Sequence, residues 1–230
     1  METGAARSPA PANFQTFPYD EWMGLEANVR GILFDYGKVL SRPPAPEDWA
    51  ALRAIFRTSE ATFEQLYWEF RDQYDLNEIS GAEYWLHVAQ RTGVVLTSVA
   101  IDRQIELDNR QWTRVNPEML DFARRAKATG MTISILSNMQ RDMLAAMRRQ
   151  LDWLSEFDAQ LFSCEIGVVK PARESYLRAV EAMGTAADET LFLDDKMKNV
   201  EGARRAGLQA LLFEGDRKVV DDYMGSALSR

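Results

Sequence analysis

Asp35 closes the apolar run "GILF" and is followed at once by Tyr-Gly-Lys. Ser137 and Asn138 follow "ISIL", Lys170 stands in "GVVKP" soon after "AQLFSC", and Asp194 and Asp195 close "TLFLDD". Each has a plain local explanation. An acid or a serine at the tip of a strand caps a turn or the next helix, and a lysine suits a surface. As a set, they put one nucleophile-grade carboxylate, one hydroxyl, one ammonium and two further carboxylates on a single rim. The chemistry that suits such a rim is phosphoryl transfer. A phosphate ester resists attack because its oxygens are negative. A divalent cation offsets that charge, and hard carboxylate oxygens suit Mg²⁺. Asp35 could then attack phosphorus and split one hard step into two. Ser137 and nearby backbone amides could donate to the phosphate oxygens. Lys170 could hold the nucleophile ionised, with Asp194 and Asp195 completing the metal site.

The elements that would position these groups follow from the pattern. "GILFD", "MTISIL", "AQLFSC", "TLFLDD" and "QALLF" read as buried strands. Between the later ones run helical segments: "PEMLDFARRAKAT", opened by Asn116 as N-cap with Pro117 behind it, then "RDMLAAMRRQL", "ARESYLRAVEAM" and "MKNVEGARRA". Glycines 130, 184 and 207 close three of them. A further helix can follow Gly215. Strands alternating with helices predict an α/β fold: a doubly wound, Rossmann-like parallel sheet with helices on both faces. Ligands of such sheets bind outside the carboxyl ends of the strands, where these residues stand.

Residues 41–115 break the rhythm. A Pro-rich hinge, "SRPPAPEDWA", leads into three helical stretches, and in "ATFEQLYWEFRDQY" the apolar positions Phe63, Leu66, Tyr67, Phe70 and Tyr74 form one stripe. The expected organisation is a tail over 1–28, an α/β core from 29–40 and 116–230, and an all-helical cap over 41–115. Trp49, Phe56, Phe63, Tyr67, Trp68, Tyr84 and Trp85 are expected mostly to fill the core of that small bundle, with one or two facing a pocket. His87, the one histidine, sits mid-helix and reads as structural.

The 230 residues carry a net charge of −8, which argues against nucleic-acid and anionic-membrane binding. No apolar run reaches the roughly 18–20 residues of a membrane helix, and the N-terminus lacks the apolar centre of a secretory signal. The one cysteine, Cys164, excludes an intrachain disulfide and reads as a small buried hydrophobe. A cytoplasmic protein, monomer or homodimer, is expected.

"FDYGKVL", "ILSN", "VVKP" and "FLDDKMKNVEGA" occur in the order and spacing of the four motifs of the haloacid dehalogenase-like hydrolase superfamily, over about residues 29–215. The chain most resembles the branch with glucose-1-phosphate phosphatases and the phosphatase half of soluble epoxide hydrolases. The resemblance implies Asp35 as nucleophile and metal ligand, a Gly37 carbonyl on the metal, and Ser137 and Asn138 on the phosphate. It implies Lys170 as the lysine of the third motif, Asp195 with Asp194 on Mg²⁺, and Asn199 in support. The expected substrate is a small phosphorylated metabolite, such as a sugar phosphate.

One position departs from the pattern. Most phosphatases of the superfamily carry a second Asp two residues after the nucleophile, as general acid and base; here it is Gly37, followed by Lys38. Such help is worth about 10²–10⁴-fold in rate. Three readings stay open. The first is a phosphatase whose leaving group needs little acid help, as a sugar 1-phosphate does and as the glycine-bearing branch suggests. The second is a metal-independent 2-haloacid dehalogenase, which the acidic pair opposes. The third is a weak or inactive member that binds a phosphate ligand or acts as a scaffold, with the Lys38 ammonium in the cation's place.

Overall fold

The computed structural model describes residues 28–225. The tail expected over 1–28 lies outside them except for Asn28. β1 (Gly31–Phe34) runs into a wide turn over residues 36–40, closed by the Ser41 amide donating to the Tyr36 carbonyl at 2.8 Å. The chain then builds α1 (Pro46–Arg53), α2 (Glu60–Glu69), α3 (Arg71–Asp75), α4 (Gly81–Thr92) and α5 (Ser98–Trp112) before it returns to the sheet. From there α6 (Pro117–Ala128), β2 (Thr132–Ser137), α7 (Arg141–Gln150), β3 (Ala159–Phe162) and the short α8 (Ser163–Ile166) follow. The last elements are α9 (Arg173–Met183), β4 (Thr190–Asp194), α10 (Met197–Ala206), β5 (Gln209–Leu212) and α11 (Lys218–Met224).

The five strands form one parallel sheet in the order β3-β2-β1-β4-β5, as the alternating pattern predicts. Strand periodicity of two splits the core cleanly. Ile32, Phe34, Ile135 and Leu193 pack with Met119 and Phe122 of α6, Met143 and Met147 of α7, and Val220 of α11. Leu33, Leu136 and Phe192 face the other way, onto Tyr176 and Ala179 of α9 and Val200 and Ala203 of α10. Chain order reverses beside β1, the type of switch point at which α/β sheets open a crevice. The register sets what meets there. Phe34 is level with Ile135 on one side and Leu193 on the other, so Asp35 stands beside Asp194. The Asp35 amide donates to the Leu193 carbonyl at 2.8 Å and anchors the strand tip.

Three local expectations are corrected. Ser163 and Cys164, read as the end of the third strand, open α8 instead. Ser163 Oγ accepts from the Met139 amide at 2.9 Å and donates to the Asp75 carbonyl at 2.6 Å, so this residue is spent joining the strand end to the helical insert. Asn116 does precede α6 but makes no side-chain cap; its Nδ2 donates to the Val39 carbonyl at 3.0 Å. That bond helps tie the insert's two connecting segments, which also pair through Ser41 and Val115 and through the Arg42 amide on the Arg114 carbonyl at 2.7 Å. The stripe from Phe63 to Tyr74 is two helices, because the backbone leaves helical geometry at Phe70 (φ −112°, ψ 11°). The break brings Arg71 and Asp75 into the interior, where both are buried.

Aromatic rings fill the insert. Phe56 stacks on Phe63 at 5.5 Å and on Trp85 at 5.8 Å, and Tyr74 stacks on Tyr84 at 4.7 Å. His87 packs on Phe70 at 4.7 Å, a structural placement. Trp68 is the exception: it is 41% exposed and lies 4.4 Å under the Lys196 ammonium of the sheet side. Cys164 is buried, as expected. Among the described residues no helix is long and apolar enough to cross a membrane.

Gly202 decides how closely α10 approaches the segment that carries Lys170. A Cβ there would stand 2.7 Å from Pro171 Cβ, 2.9 Å from Tyr176 Oη and 3.0 Å from the Pro171 carbonyl oxygen. Overpacking of this kind costs about 1–3 kcal/mol, against a helix-propensity gain of up to about 1 kcal/mol. Gly202→Ala is therefore expected to lose about 1–2 kcal/mol in a urea melt. An unchanged midpoint would mean that the Pro171 segment simply moves aside.

Candidate active site

Asp35 and Asp194, neighbours by register, are both buried, and like charges so placed need a cation between them. Lys170 supplies it. Its Nζ lies 2.7 Å from Asp35 Oδ1 and 2.7 Å from Asp194 Oδ2, and only 2% of the residue is exposed. The segment between α8 and α9 is held so that the ammonium arrives there. Asn138 Nδ2 donates to the Lys170 carbonyl at 3.0 Å, and the Lys170 amide donates back to Asn138 Oδ1 at 2.8 Å. Asp194 is fixed in turn: its Oδ1 accepts from the Lys196 amide at 2.8 Å, and Asn199 Nδ2 lies 3.0 Å from both its oxygens.

Burial pushes the Asp35 carboxyl up to about 6; Lys170 pulls against this, while Asp194 and Asp195 add to it. Burial disfavours the Lys170 ammonium, but Asp194 and Asp35 outweigh it and hold it above the usual lysine range. Lys170 is therefore a fixed charge, and Asp35 is a carboxylate whose ionisation depends on having positive charge nearby.

A cavity of about 320 Å³ opens in front of Asp35. Gly37, Lys38, Ser137, Asn138, Lys170, Asp195 and Asn199 line it from the sheet side, and Trp68, Arg71, Asp75 and Trp112 from the insert side. The structure thus gathers the candidate site residues named from the sequence, with Asp194 reached through Lys170 and not itself in the lining. Two roles shift. Asn138 spends its side-chain amide on the Lys170 backbone, so what it has left for an anion is its own backbone N–H. Ser137 Oγ makes only a long contact to the Asn138 carbonyl, at 3.4 Å, and faces the same space.

Glycine at position 37 is not a backbone requirement. Its φ is −64°, and a Cβ would meet the Trp112 ring at 3.6 Å and Asp35 Oδ2 at 3.9 Å, ordinary contact distances. The left-handed residue of the turn is Lys38, at φ 59°. Its Nζ reaches Asp195 Oδ2 at 3.3 Å, while its side chain stays 42% exposed. The ammonium is therefore a half-solvated counter-ion of Asp195 and is not lodged between Asp35 and Asp195.

Sequence reasoning missed the polar layer by which the insert grips the sheet. Arg71 donates through Nε to Asp75 Oδ1 at 3.0 Å, through Nη1 to Asp108 Oδ2 at 3.0 Å and Tyr67 Oη at 2.7 Å, and through Nη2 to Gln140 Oε1 at 2.7 Å. Tyr74 donates to Asp142 at 2.7 Å, a second link from insert to α7. One signal was available: Gln104, Asp108 and Gln111 recur at helical spacing and are all buried, a polar stripe on α5 where an apolar one is normal.

Asp35, Asp194 and Asp195 each offer an oxygen within 4.8 Å of the others. Three hard oxygen donors at this spacing fit Mg²⁺. Asp194 already accepts hydrogen bonds on both oxygens, which leaves the freer ones on Asp35 and Asp195. Beside them Asn199 Oδ1 is buried and accepts no hydrogen bond from the described residues.

Comparison with known proteins agrees with this architecture. Bifunctional epoxide hydrolase 2 of Rattus norvegicus is 32% identical over 104 residues, 43% of this chain and 18% of that protein. Phosphatase MT3486 of Mycobacterium tuberculosis is 32% identical over 120 residues, 52% of this chain and 55% of that protein. The chain thus spans from under a fifth to about half the length of these curated relatives. A crystal structure of a HAD family enzyme from Bacteroides thetaiotaomicron, in complex with magnesium and inorganic phosphate, superposes with a TM-score of 0.65 at 18% identity. That match covers 81% of this chain and 95% of the other and speaks for the fold. The haloacid dehalogenase-like hydrolase family matches residues 29–207, so the parallel sheet with acids and a lysine at its strand tips belongs to a member of that family.

Proposed function

We propose that this hydrolase is a phosphatase that takes a small phosphate ester, transfers the phosphoryl group to Asp35, and uses Mg²⁺ as its cofactor. The observation that carries this reading is the Lys170 ammonium at 2.7 Å from Asp35 Oδ1, at the floor of a cavity that Ser137 and Asp195 also line. The Gly37 carbonyl, Asp35 and Asp195 would hold the ion, which when bound supplies charge neutralisation for the phosphoryl oxygens. Asp35 Oδ2 is the oxygen left to attack, since Oδ1 is held by Lys170. Ser137 Oγ and the Asn138 amide orient the phosphate. Asp194 and Asn199 keep Lys170 aimed, and Asn138 fixes its backbone. A sugar 1-phosphate suits a site in which position 37 offers no acid, because the ring oxygen stabilises the departing anomeric oxygen.

A dehalogenase reading meets an obstacle: Asp35, Asp194 and Asp195 cluster as a cation site would, and a metal-free displacement of halide has no use for such a cluster. A weakly catalytic phosphate-binding protein is the second reading, favoured by the Lys38–Asp195 pair. The same experiment separates all three. Phosphate release from p-nitrophenyl phosphate and sugar phosphates is expected with Mg²⁺ and should vanish in EDTA. Halide release from 2-haloacids without metal would support a dehalogenase, and silence on both substrates a binding protein.

Lys38 and Mg²⁺ compete for Asp195 if this reading holds. Lys38→Met should bind Mg²⁺ more tightly by calorimetry, by up to about fivefold, the scale of a half-exposed ion pair. Equal affinity would make Lys38 a bystander.

Asp35→Asn is expected to abolish phosphate release; an active mutant would take Asp35 out of the nucleophile role. It should also change stability with a defined sign. The folded protein holds the Asp35 proton up to about 6, against 3.8 for the free group, so the contribution of this group is complete below 3.8 and is lost as pH rises through 6. Asparagine has no proton to lose. In EDTA, the thermal midpoint of Asp35→Asn should therefore rise relative to wild type from about pH 4 to pH 7. Parallel curves would show that the acid carries no such strain.

A further inference from the structure

The cavity holds a second buried carboxylate that the roles above leave unused. Asp75, at the end of α3, lines the same space as Asp35 and is 5% exposed, whereas Asp72 beside it is exposed. Its place is set from both sides of the nucleophile. The Asp75 carbonyl accepts from Ser163 Oγ at 2.6 Å, and that same Oγ accepts from the Met139 amide at 2.9 Å, one residue beyond Asn138. On the other side, Asp75 lies within the field of the Lys196 ammonium, next in sequence to Asp195. Its side chain is held by one oxygen: Arg71 Nε donates to Oδ1 at 3.0 Å, and Arg71 Nη2 goes on to Gln140. Asp75 Oδ2 receives no hydrogen bond from the described residues.

We propose that Asp75 is a catalytic residue, the general acid and then the general base that position 37 lacks, delivered from the helical insert. This rests on the phosphatase reading. In the first step the Asp75 O–H gives its proton to the ester oxygen as the P–O bond to the leaving group breaks and the bond from Asp35 to phosphorus forms. In the second, the Asp75 carboxylate takes a proton from a water whose oxygen attacks the same phosphorus; phosphate leaves, Asp35 returns as a carboxylate and Asp75 as an acid. The environment suits the task. Burial pushes the Asp75 carboxyl up to about 6; Arg71 opposes this and Asp108 adds to it, so both protonation states are accessible near neutrality. An acid supplied by the insert also makes catalysis depend on the insert being seated, which the Arg71–Gln140 and Tyr74–Asp142 bonds secure.

The test is leaving-group dependence, which a merely structural residue would not alter. Asp75→Asn, assayed with Mg²⁺, should lose about 10²–10⁴-fold in kcat/KM on alkyl phosphates and less than about tenfold on p-nitrophenyl phosphate, whose leaving group needs no proton. Asp75→Asn with Gly37→Asp should recover part of the alkyl activity, since a Cβ at 37 has room. An equal loss on both substrates, with no recovery, overturns the proposal. The wild type provides a measurement free of folding effects: its kcat/KM should fall only shallowly as leaving-group pKa rises, and a steep fall overturns the proposal while the phosphatase reading stands. A wild type silent on both esters defeats that reading, and this one with it.

Discussion

Two carboxylates on adjacent strands, level with one another and out of water, are the constraint around which this protein is arranged. Parallel pairing of β1 and β4 places Asp35 beside Asp194, and no rearrangement short of a register slip would separate them. Lys170 makes the arrangement possible, because its ammonium touches both. Taking away one partner of a buried pair typically costs about 3–5 kcal/mol, since a charge is left uncompensated. The Asn138 clamp, the Asn199 donor and the close approach of α10 at Gly202 all serve to bring that ammonium to one point. Here structural and chemical demands coincide: the cation that makes the strand tips tolerable also leaves Asp35 ionisable beside a cavity.

The insert follows a second logic. Small helical modules gain stability from large rings, and this one packs its aromatics into a cluster separate from the two faces of the sheet. Much of its contact with the sheet side is polar, beside the Trp112 ring packed on the sheet's core. Arg71 sits at the centre with Asp75, Asp108, Tyr67 and Gln140, each satisfying another. Buried polar groups are costly unless paired, and the pairs that Arg71 makes specify one orientation more sharply than an apolar seam would. The insert is therefore seated with defined geometry over the cavity in front of Asp35. Trp68 under Lys196 forms a looser contact nearer solvent.

The turn after Asp35 joins these two themes. Gly37 has room for a side chain and the backbone for one, so its absence is a matter of chemistry and not of strain. Lys38 accepts the left-handed conformation and sends its ammonium to Asp195. The turn thus offers no acid at one position and a half-exposed positive charge at the next, and on the helical side of the cavity Asp75 is a further buried carboxyl group.

Much of this was legible in the chain itself. Apolar runs ended by polar residues defined the five strands, and glycines after helical stretches defined the ends of several helices, because these signals reflect local backbone preference. The strand-tip position of Asp35, Ser137, Asp194 and Asp195, and the loop position of Lys170, followed from the same rhythm. What the sequence could not decide was partnership. Asn116 looked like a helix cap and is a strap across two linkers; Asn138 looked like a phosphate ligand and clamps the backbone of Lys170. Arg71 and Asp75 were hidden inside an amphipathic stripe, since only the break at Phe70 turns them inward. Local propensity depends on near neighbours in sequence, whereas a side chain's hydrogen-bond partner depends on which distant segment arrives beside it. That arrival is decided by sheet register and by the seating of the insert, which exist only once the chain has folded.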